Sequence, residues 1–209
     1  MSEQRLLVAT TNAGKLRDFA TAAGAQIAIS PLPGLAGIVA PAEDEATFEG
    51  NARIKAIYYS QFAPGEVVIA DDSGLEVDAI DNAPGVRSAR YADDCGFVLD
   101  ATPALTQDER NNQCLMDALS GVPADARKAR YRCALAAARN GVVIAIGVGT
   151  VEGRVLDAPQ GSGGFGYDPY FLPEGDTLSM AELDSERRMS LSHRGRALKD
   201  LLVQLGERA

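Results

Sequence analysis

The chain has 209 residues, 46% of them hydrophobic and none tryptophan, so one domain can bury a core built mainly of aliphatic side chains. Its net charge of −9 argues against sequence-independent binding of nucleic acid and against adhesion to an anionic membrane, since both need a broad basic face. Three cysteines without a C-x-x-C pair, together with a single histidine, argue against a zinc site and favour a reducing compartment.

The apolar run near the N-terminus is too short to be the hydrophobic region of a signal peptide. The longest apolar run, residues 142–148, is also far too short to cross a bilayer. We therefore expect a soluble, cytoplasmic chain that binds neither membranes nor nucleic acid.

The first predicted elements are a buried strand over residues 5–10 and a helix over about 15–23, joined by Thr11-Asn12-Ala13-Gly14. Free N–H groups and the helix dipole make such a junction a potential anion site, and Lys15 adds a full positive charge. An ordinary capped helix start explains this segment equally well when it is considered alone.

A short strand over residues 26–30 is followed by an acidic patch at Glu43 and by a helix over about 47–62. Thr47, Asn51 and Lys55 follow one another at intervals of four and therefore share one face of that helix. Such a polar row can point into a cleft, although a solvated helix face is the commoner explanation.

The sequence VVIADDSGLEV predicts a buried strand over residues 67–70 that ends at two adjacent carboxylates, Asp71 and Asp72, with another strand over 75–80. Acids at the carboxyl end of a strand in an open α/β sheet lie where such sheets bind ligands, and their oxygens suit Mg²⁺. An Asx turn is a simpler explanation of Asp-Asp-Ser-Gly. Asp72-Ser73-Gly74 is also the tripeptide of aspartic proteases, but those need two copies or a symmetric dimer in an all-β fold.

The remaining pattern predicts a loop over residues 82–96, a capped helix from 106 to about 119, and two strands over 130–138 and 142–155 joined by an Asn-Gly turn. A final helix is predicted over about 192–205. This alternation of helices and strands around an antiparallel middle indicates an α/β fold with a mixed sheet.

Two further segments could carry chemistry. In GGFGYDP, glycines allow close approach to a flat ligand, Phe165 can stack on a base, and Asp168 can accept from a ring N–H. In SHRG, His193 and Arg194 lie at the head of the last helix, where positive charge opposes the dipole and suggests a nearby anion or acceptor. A glycine-rich hairpin corner and a surface basic patch are the alternatives.

In this order, the segments resemble the dITP/XTP pyrophosphatase family, the inosine triphosphate pyrophosphatases, which remove deaminated purine triphosphates from the nucleotide pool. The resemblance rests on T-x-N-x-G-K, E-x(3)-TF-x(2)-NA-x(2)-KA, ADDSGL-x-VD, APG-x(2)-SARYA, GGFGYDP and SHRG, and runs from about residue 7 to 198. It implies Mg²⁺-dependent hydrolysis of dITP, ITP or XTP to the monophosphate and pyrophosphate. It also implies one two-lobed domain over residues 1–209, an active site between the lobes, and a homodimer.

The resemblance also assigns roles to individual residues. Glu43 and Asp72 match the Mg²⁺ ligands, and Asp72 matches the proton acceptor of the reaction. The implied substrate-binding residues are Thr10, Thr11, Asn12, Ala13, Gly14 and Lys15 with Lys55 and Ser73 for the triphosphate side, and Phe165, Gly166, Tyr167, Asp168, Arg188, His193 and Arg194 for the base.

Three positions depart from the family pattern. Thr11 replaces a glycine of the phosphate loop, Gly50 stands where glutamate is common, and Arg188 stands where lysine is usual. None of these changes removes a proposed catalytic group, but Arg188 leaves the substrate preference open.

Overall fold

The computed structural model describes residues 5–24, 27–96 and 105–206. The strands in these ranges are β1 (Arg5–Val8), β2 (Ala28–Pro31), β3 (Val67–Val77), β4 (Lys128–Arg139), β5 (Val142–Val155) and β6 (Phe171–Pro173). The α-helices are α1 (Ala13–Ala23), α2 (Phe48–Ser60), α3 (Tyr91–Asp94), α4 (Gln107–Ala118), α5 (Ser185–Leu191) and α6 (His193–Gly206).

The described strands form one six-stranded sheet with the order β2-β1-β3-β4-β5-β6. Strand β1 pairs in parallel with both β2 and β3, whereas β5 and β6 are antiparallel. Asn140 and Gly141 connect β4 to β5, both with positive φ, as a two-residue hairpin turn requires. The predicted mixed sheet and α/β fold class are confirmed.

Strand β3 differs most from the prediction. Residues 67–77 form one continuous strand, so Asp71 and Asp72 lie in its middle and the predicted strand break is wrong. The acids do not end the strand because each is paired: Asp71 bonds to a lysine and Asp72 to a buried amide. The sequence pattern alone does not reveal such long-range partners.

Other boundaries moved by smaller amounts. The predicted loop over 82–96 contains a 3-10 helix, Gly85–Arg90, and the short helix α3, and α5 was not predicted. The predicted start of β2 at residue 26 lies outside the described residues. Within the described ranges, no helix is both long enough and apolar enough to span a membrane.

The chain divides into two compact units. The first contains the described residues up to Ser73, Arg132–Thr150, and those from Met189 onward. The second contains Gly74–Tyr131 and Val151–Arg188. The two-lobed arrangement with an active site between lobes stays a prediction.

In the first unit, helix α6 packs closely against strand β5 at two glycines. A Cβ at Gly147 would lie 2.1 Å from the carbonyl oxygen of Ala197, and one at Gly149 would lie 2.1 Å from that of His193. This contact fixes the start of α6. The core beneath it contains Leu6, Val8, Phe19, Ile69, Leu135, Ala137, Leu198 and Leu201.

Candidate active site

The junction before α1 is a capped helix start. The side-chain oxygen of Asn12 accepts from the backbone amides of Gly14, at 2.8 Å, and Lys15, at 3.1 Å. The backbone amide of Asn12 donates to Thr10 Oγ1. Asn12 therefore already satisfies two of the amides expected to bind phosphate. An anion here must use the N–H groups of Thr11 and Ala13, the Lys15 ammonium, or amides freed from the cap.

Lys15 points to the middle of β3. Its Nζ donates to Oδ2 of Asp71 at 2.8 Å, and the same oxygen accepts from Ser73 Oγ at 3.1 Å. Arg194 extends the network, because its Nη2 donates to Ser73 Oγ at 3.1 Å and its Nη1 to Asp18 Oδ2 at 3.4 Å. Three segments, the start of α1, the middle of β3 and the start of α6, thus meet in one chain of charged hydrogen bonds.

The charge of Asp71 is strongly stabilised. Burial opposes ionisation of this carboxyl, which is 5% exposed, but Lys15 and Arg194 outweigh burial and hold its pKa well below the usual range. Asp71 therefore remains a carboxylate throughout the physiological range. Its role is to pair with cations and not to exchange protons.

A second cluster joins Glu43, Lys55 and Asp72. The Lys55 ammonium donates to Glu43 Oε2 at 2.6 Å and lies 3.6 Å from Asp72 Oδ1. Asn51, one turn before Lys55 on α2, donates from Nδ2 to Asp72 Oδ2 at 3.0 Å. The structure therefore brings the two predicted metal ligands to one lysine. Of the predicted polar row, Asn51 and Lys55 face these carboxylates, whereas Thr47 is the exposed N-cap of α2.

Burial raises the pKa of the Asp72 carboxyl, although Lys55 and Asn51 oppose that shift. For Lys55, burial favours the neutral amine, but Asp72, Asp71 and Glu43 outweigh burial and raise its pKa. Asp72 is thus a stronger base than an exposed aspartate, next to an ammonium that stays charged. Of the two adjacent acids, Asp72 is the one suited to accept a proton.

His193 lies at the start of α6 and is 4% exposed. Burial, and then the charge of Arg194, lowers the pKa of its imidazole well below the usual value, so the ring is neutral at pH 7. A neutral imidazole offers one donor and one acceptor. His193 can therefore contact a neutral base but does not add charge to a phosphate site.

In the second unit, Asp168 organises the glycine-rich loop. Its Oδ1 accepts from the hydroxyl of Tyr131 at 3.0 Å, and its Oδ2 accepts from the amide of Phe165 at 3.1 Å. Gly164 has φ +73, and a Cβ there would lie 2.0 Å from Asp168 Oδ2, so only glycine fits. Phe165 is 37% exposed.

Helix α4 holds the same loop at Gly166. Asp108 accepts from the Gly166 amide at 2.8 Å, and Asn112 donates to its carbonyl at 2.9 Å. The ring of Tyr167 is buried, and its hydroxyl donates to the carbonyl of Ser88. Tyr167 therefore anchors the loop through its side chain, and a ligand could meet it mainly through the backbone.

Arg188 also belongs to the second unit. Its Nη1 donates to the carbonyl of Leu183 at 3.1 Å and lies 3.1 Å from the Cβ position of Gly163. Arg188 is thus close to the glycine-rich loop. Whether these residues share a base pocket with His193 and Arg194 of the first unit stays a prediction.

Sequence reasoning missed several residues that support the site. It placed Asn51 on the polar face of α2 without a role, and it did not single out Asp18, Tyr131, Asp108 or Asn112. The Asp108 and Asn112 pair has a recognisable signal, since their spacing places both on one face of α4. Tyr131 gives no local signal because its partner lies 37 residues away.

The donor set at Glu43 and Asp72 suits Mg²⁺. This ion is typically held by one or two carboxylates together with waters and substrate phosphates, and not by a full protein cage. In the described ranges, no group of three or more His, Cys, Asp or Glu side chains is arranged to hold a metal. Two carboxylates that already face one cation, the Lys55 ammonium, fit the Mg²⁺ pattern.

These features define an α/β protein with a carboxylate and lysine cluster beside a strand-to-helix junction, as expected of an enzyme that acts on phosphorylated ligands. Comparison with known proteins agrees with this class. The Ham1 family model matches residues 6–204. The chain belongs to the Ham1 family.

Relatives match over nearly their whole length. A protein of Acidobacterium capsulatum named dITP/XTP pyrophosphatase is 55% identical over 202 residues, which cover 96% of this chain and 97% of that protein. One of the same name from Nitratidesulfovibrio vulgaris is 41% identical, covering 97% and 96%.

Solved structures agree with the fold. A HAM1 protein from Coxiella burnetii superposes with a TM-score of 0.79 at 32% identity, covering 97% of this chain and 98% of that one. A nucleoside-triphosphatase, named dITP/XTP pyrophosphatase, from Mycobacterium abscessus has a TM-score of 0.72 at 35% identity, covering 95% and 98%.

Proposed function

We propose that this protein hydrolyses deaminated purine nucleoside triphosphates, dITP, ITP and XTP, to the nucleoside monophosphate and pyrophosphate. The observation that carries this proposal is the cluster in which Lys55 joins Glu43 to Asp72. The names of the relatives supply the substrate class. In the cell, this activity would cleanse the cytoplasmic nucleotide pool and keep these bases out of DNA and RNA.

The first task is to neutralise the triphosphate. We assign it to Lys15 and Lys55, whose ammonium groups are both largely buried and both already paired with carboxylates. Fixed positive charge in a partly dry site stabilises charge that develops on the leaving pyrophosphate, at no reorganisation cost during the reaction. The strand-to-helix junction of Thr10 to Lys15 would contribute backbone N–H groups to the same end.

The second task is to hold the metal. In this proposal Glu43 and Asp72 are the protein ligands of Mg²⁺. When bound, the ion would add positive charge next to the phosphate oxygens and lower the pKa of a coordinated water. Glu43 would then exchange part of its pairing with Lys55 for the metal, and Lys55 would be freed toward phosphate.

The third task is to activate water, which attacks the α-phosphorus. We assign it to Asp72, which lies beside the Lys55 ammonium and would be next to a metal-bound water. Coordination to Mg²⁺ would lower the pKa of Asp72, so the proton transfer would depend on the metal lowering the pKa of that water as well. The adjacent Asp71 has a strongly lowered pKa and is unsuited to this role. Asp71 instead keeps Lys15 and Ser73 in place.

We assign recognition of the base to Phe165, Asp168, Arg188, His193 and Arg194. A 6-oxo purine offers an acceptor at C6 and a donor at N1, and adenine offers the reverse. Donors to O6 and an acceptor for N1–H would leave buried polar groups unpaired against adenine, which can discriminate by about 10⁴-fold. Guanine shares that edge, so its exclusion must depend on the 2-amino group.

The proposal is tested with a substrate panel. Release of pyrophosphate would be measured for dITP, XTP, dGTP, dATP and dUTP, with Mg²⁺ and with EDTA. Metal-dependent release from dITP and XTP, with little from the other three, supports the proposal. Equal turnover of dATP would contradict the assigned base recognition, and preferential turnover of dUTP would indicate a pyrophosphatase for modified pyrimidines. A homodimer, also proposed, is tested by sedimentation of the same preparation.

A further inference from the structure

Asn51 is a fully buried amide inside the candidate active site. It is 1% exposed and lies on α2, one turn before Lys55. Its amide makes three hydrogen bonds: Oδ1 accepts from the amide of Glu45 at 3.1 Å, and Nδ2 donates to the Glu45 carbonyl at 3.4 Å and to Asp72 Oδ2 at 3.0 Å. A buried amide satisfied in this way has a single defined orientation.

The bond to Asp72 distinguishes the two oxygens of that carboxylate. Oδ2 accepts from Asn51, whereas Oδ1 faces the Lys55 ammonium at 3.6 Å. The carboxyl group therefore cannot rotate without losing a buried hydrogen bond. Oδ1 is left as the oxygen turned toward the Lys55 ammonium.

The hydrogen bonds to the Glu45 backbone affect the second carboxylate of the cluster, Glu43. By accepting from the Glu45 amide and donating to the Glu45 carbonyl, Asn51 fixes the backbone two residues after Glu43. Glu43 in turn meets Lys55 at 2.6 Å. One side chain thus bonds directly to one carboxylate and to the backbone two residues from the other.

We propose that Asn51 is a positioning residue for hydrolysis: it orients Asp72 so that Oδ1 accepts the proton of the attacking water, and it holds the segment that carries Glu43. Asn51 acts through these residues and does not itself contact the substrate. This inference rests on the function proposed above.

Two substitutions remove different sets of these three hydrogen bonds: Asn51→Asp loses both donations from Nδ2, to Asp72 and to the Glu45 carbonyl, and Asn51→Ala loses all three. Asn51→Asp has nearly the same shape and keeps an oxygen to accept from the Glu45 amide, but as a carboxylate it cannot donate to Asp72. If orientation of Asp72 is the main contribution, both variants lose activity, and Asn51→Asp loses at least as much.

The matched control is Ser60→Ala at the far end of the same helix. Ser60 is fully buried, and its Oγ accepts from the Gly141 amide at 2.9 Å and donates to the Ile57 carbonyl. This variant therefore also loses buried hydrogen bonds from α2, but none of them reaches Asp72. It should lower the melting temperature and leave turnover per folded molecule unchanged.

The experiment measures kcat and KM for dITP with saturating Mg²⁺, normalised to the folded fraction of each preparation. We expect kcat to fall about 10- to 100-fold in both Asn51 variants, as is typical when a partner of a catalytic or metal-binding group is removed. KM should change far less, because Lys15 and Lys55 remain.

Unchanged kcat in Asn51→Asp would overturn the inference, as would a loss no larger than that in Ser60→Ala. A loss that falls entirely on KM would overturn it too. A wild-type protein that releases no pyrophosphate from dITP would instead contradict the proposed function, so the two failures are distinguishable.

Discussion

The Nζ of Lys15 lies 2.8 Å from Oδ2 of Asp71, which makes the third residue of α1 a direct partner of the middle of β3. Because the Asp71 side chain is 3% exposed and that of Lys15 is 22% exposed, the pair is only partly screened by water. Ser73 shares the same carboxylate oxygen. The pair therefore links the candidate phosphate-binding segment to the strand that carries the candidate proton acceptor.

Replacement of Asp71 by asparagine should destabilise the fold by about 2 kcal/mol at neutral pH, because it leaves Lys15 without its carboxylate. The lowered pKa of Asp71 stabilises the folded state above its unfolded pKa of about 3.9, and this contribution is lost as the pH falls below that value. The difference in unfolding free energy between wild type and Asp71→Asn should therefore shrink from pH 6 to pH 2.5. A difference that stays constant over this range would contradict the assignment.

His193 should make the fold sensitive to mild acid. Its folded-state pKa is lowered, so its contribution is fully present above the unfolded pKa of about 6.5 and is lost as the pH falls below it. Between pH 7.5 and pH 5.5, the wild-type unfolding free energy should fall by about 1 kcal/mol through this group. Denaturant titrations of His193→Gln at the two pH values should show an unfolding free energy without this fall of about 1 kcal/mol. An identical fall in the variant would show that other groups cause it.

Gly149→Ala should disrupt the packing of α6 on β5. The added Cβ would lie 2.1 Å from a backbone carbonyl oxygen, which cannot move without shifting the helix. We expect a loss of about 3 kcal/mol or more, or failure to fold. Gly206→Ala on the same helix meets nothing within 4 Å and should change stability by less than about 1 kcal/mol. Similar melting temperatures for the two variants would refute the close contact.

Tyr131→Phe should weaken the recognition assigned to Asp168, since it removes the hydroxyl that donates to Asp168 Oδ1. A hydrogen bond to a charged group is worth about 1.5–3 kcal/mol, so kcat/KM for dITP should fall about tenfold or more. A double-mutant cycle with Asp168→Asn checks whether the two residues act together. Strictly additive losses would indicate that Tyr131 does not act through Asp168.

Patterns of local sequence identified most of the fold. The alternation of strands and helices, the capping box at Thr106 and the Asn140-Gly141 turn each have local physical causes and appear where predicted. The path of β3 has no such local cause, because a strand can pass through two buried acids only when distant side chains pair them. Lys15 is 56 positions from its partner Asp71, beyond any periodicity.

In the candidate site, too, features with local causes could be predicted and features that depend on distant residues could not. Lys55 and Asn51 share a helix face, so their spacing predicted a common direction. Their convergence on Asp72 depends on tertiary packing, which the sequence pattern does not contain. The different protonation behaviour of Asp71 and Asp72 could not be predicted either, since adjacent identical side chains differ only in their neighbours.

The most direct test of the account is hydrolysis of dITP in water enriched in ¹⁸O, with Mg²⁺, by wild type and by Asp72→Asn. If water attacks the α-phosphorus, the label appears in dIMP and the pyrophosphate is unlabelled. With Asp72 as the proton acceptor, kcat should fall at least about 10²-fold in the variant. Label in pyrophosphate, release of orthophosphate, or full activity of Asp72→Asn would contradict the account.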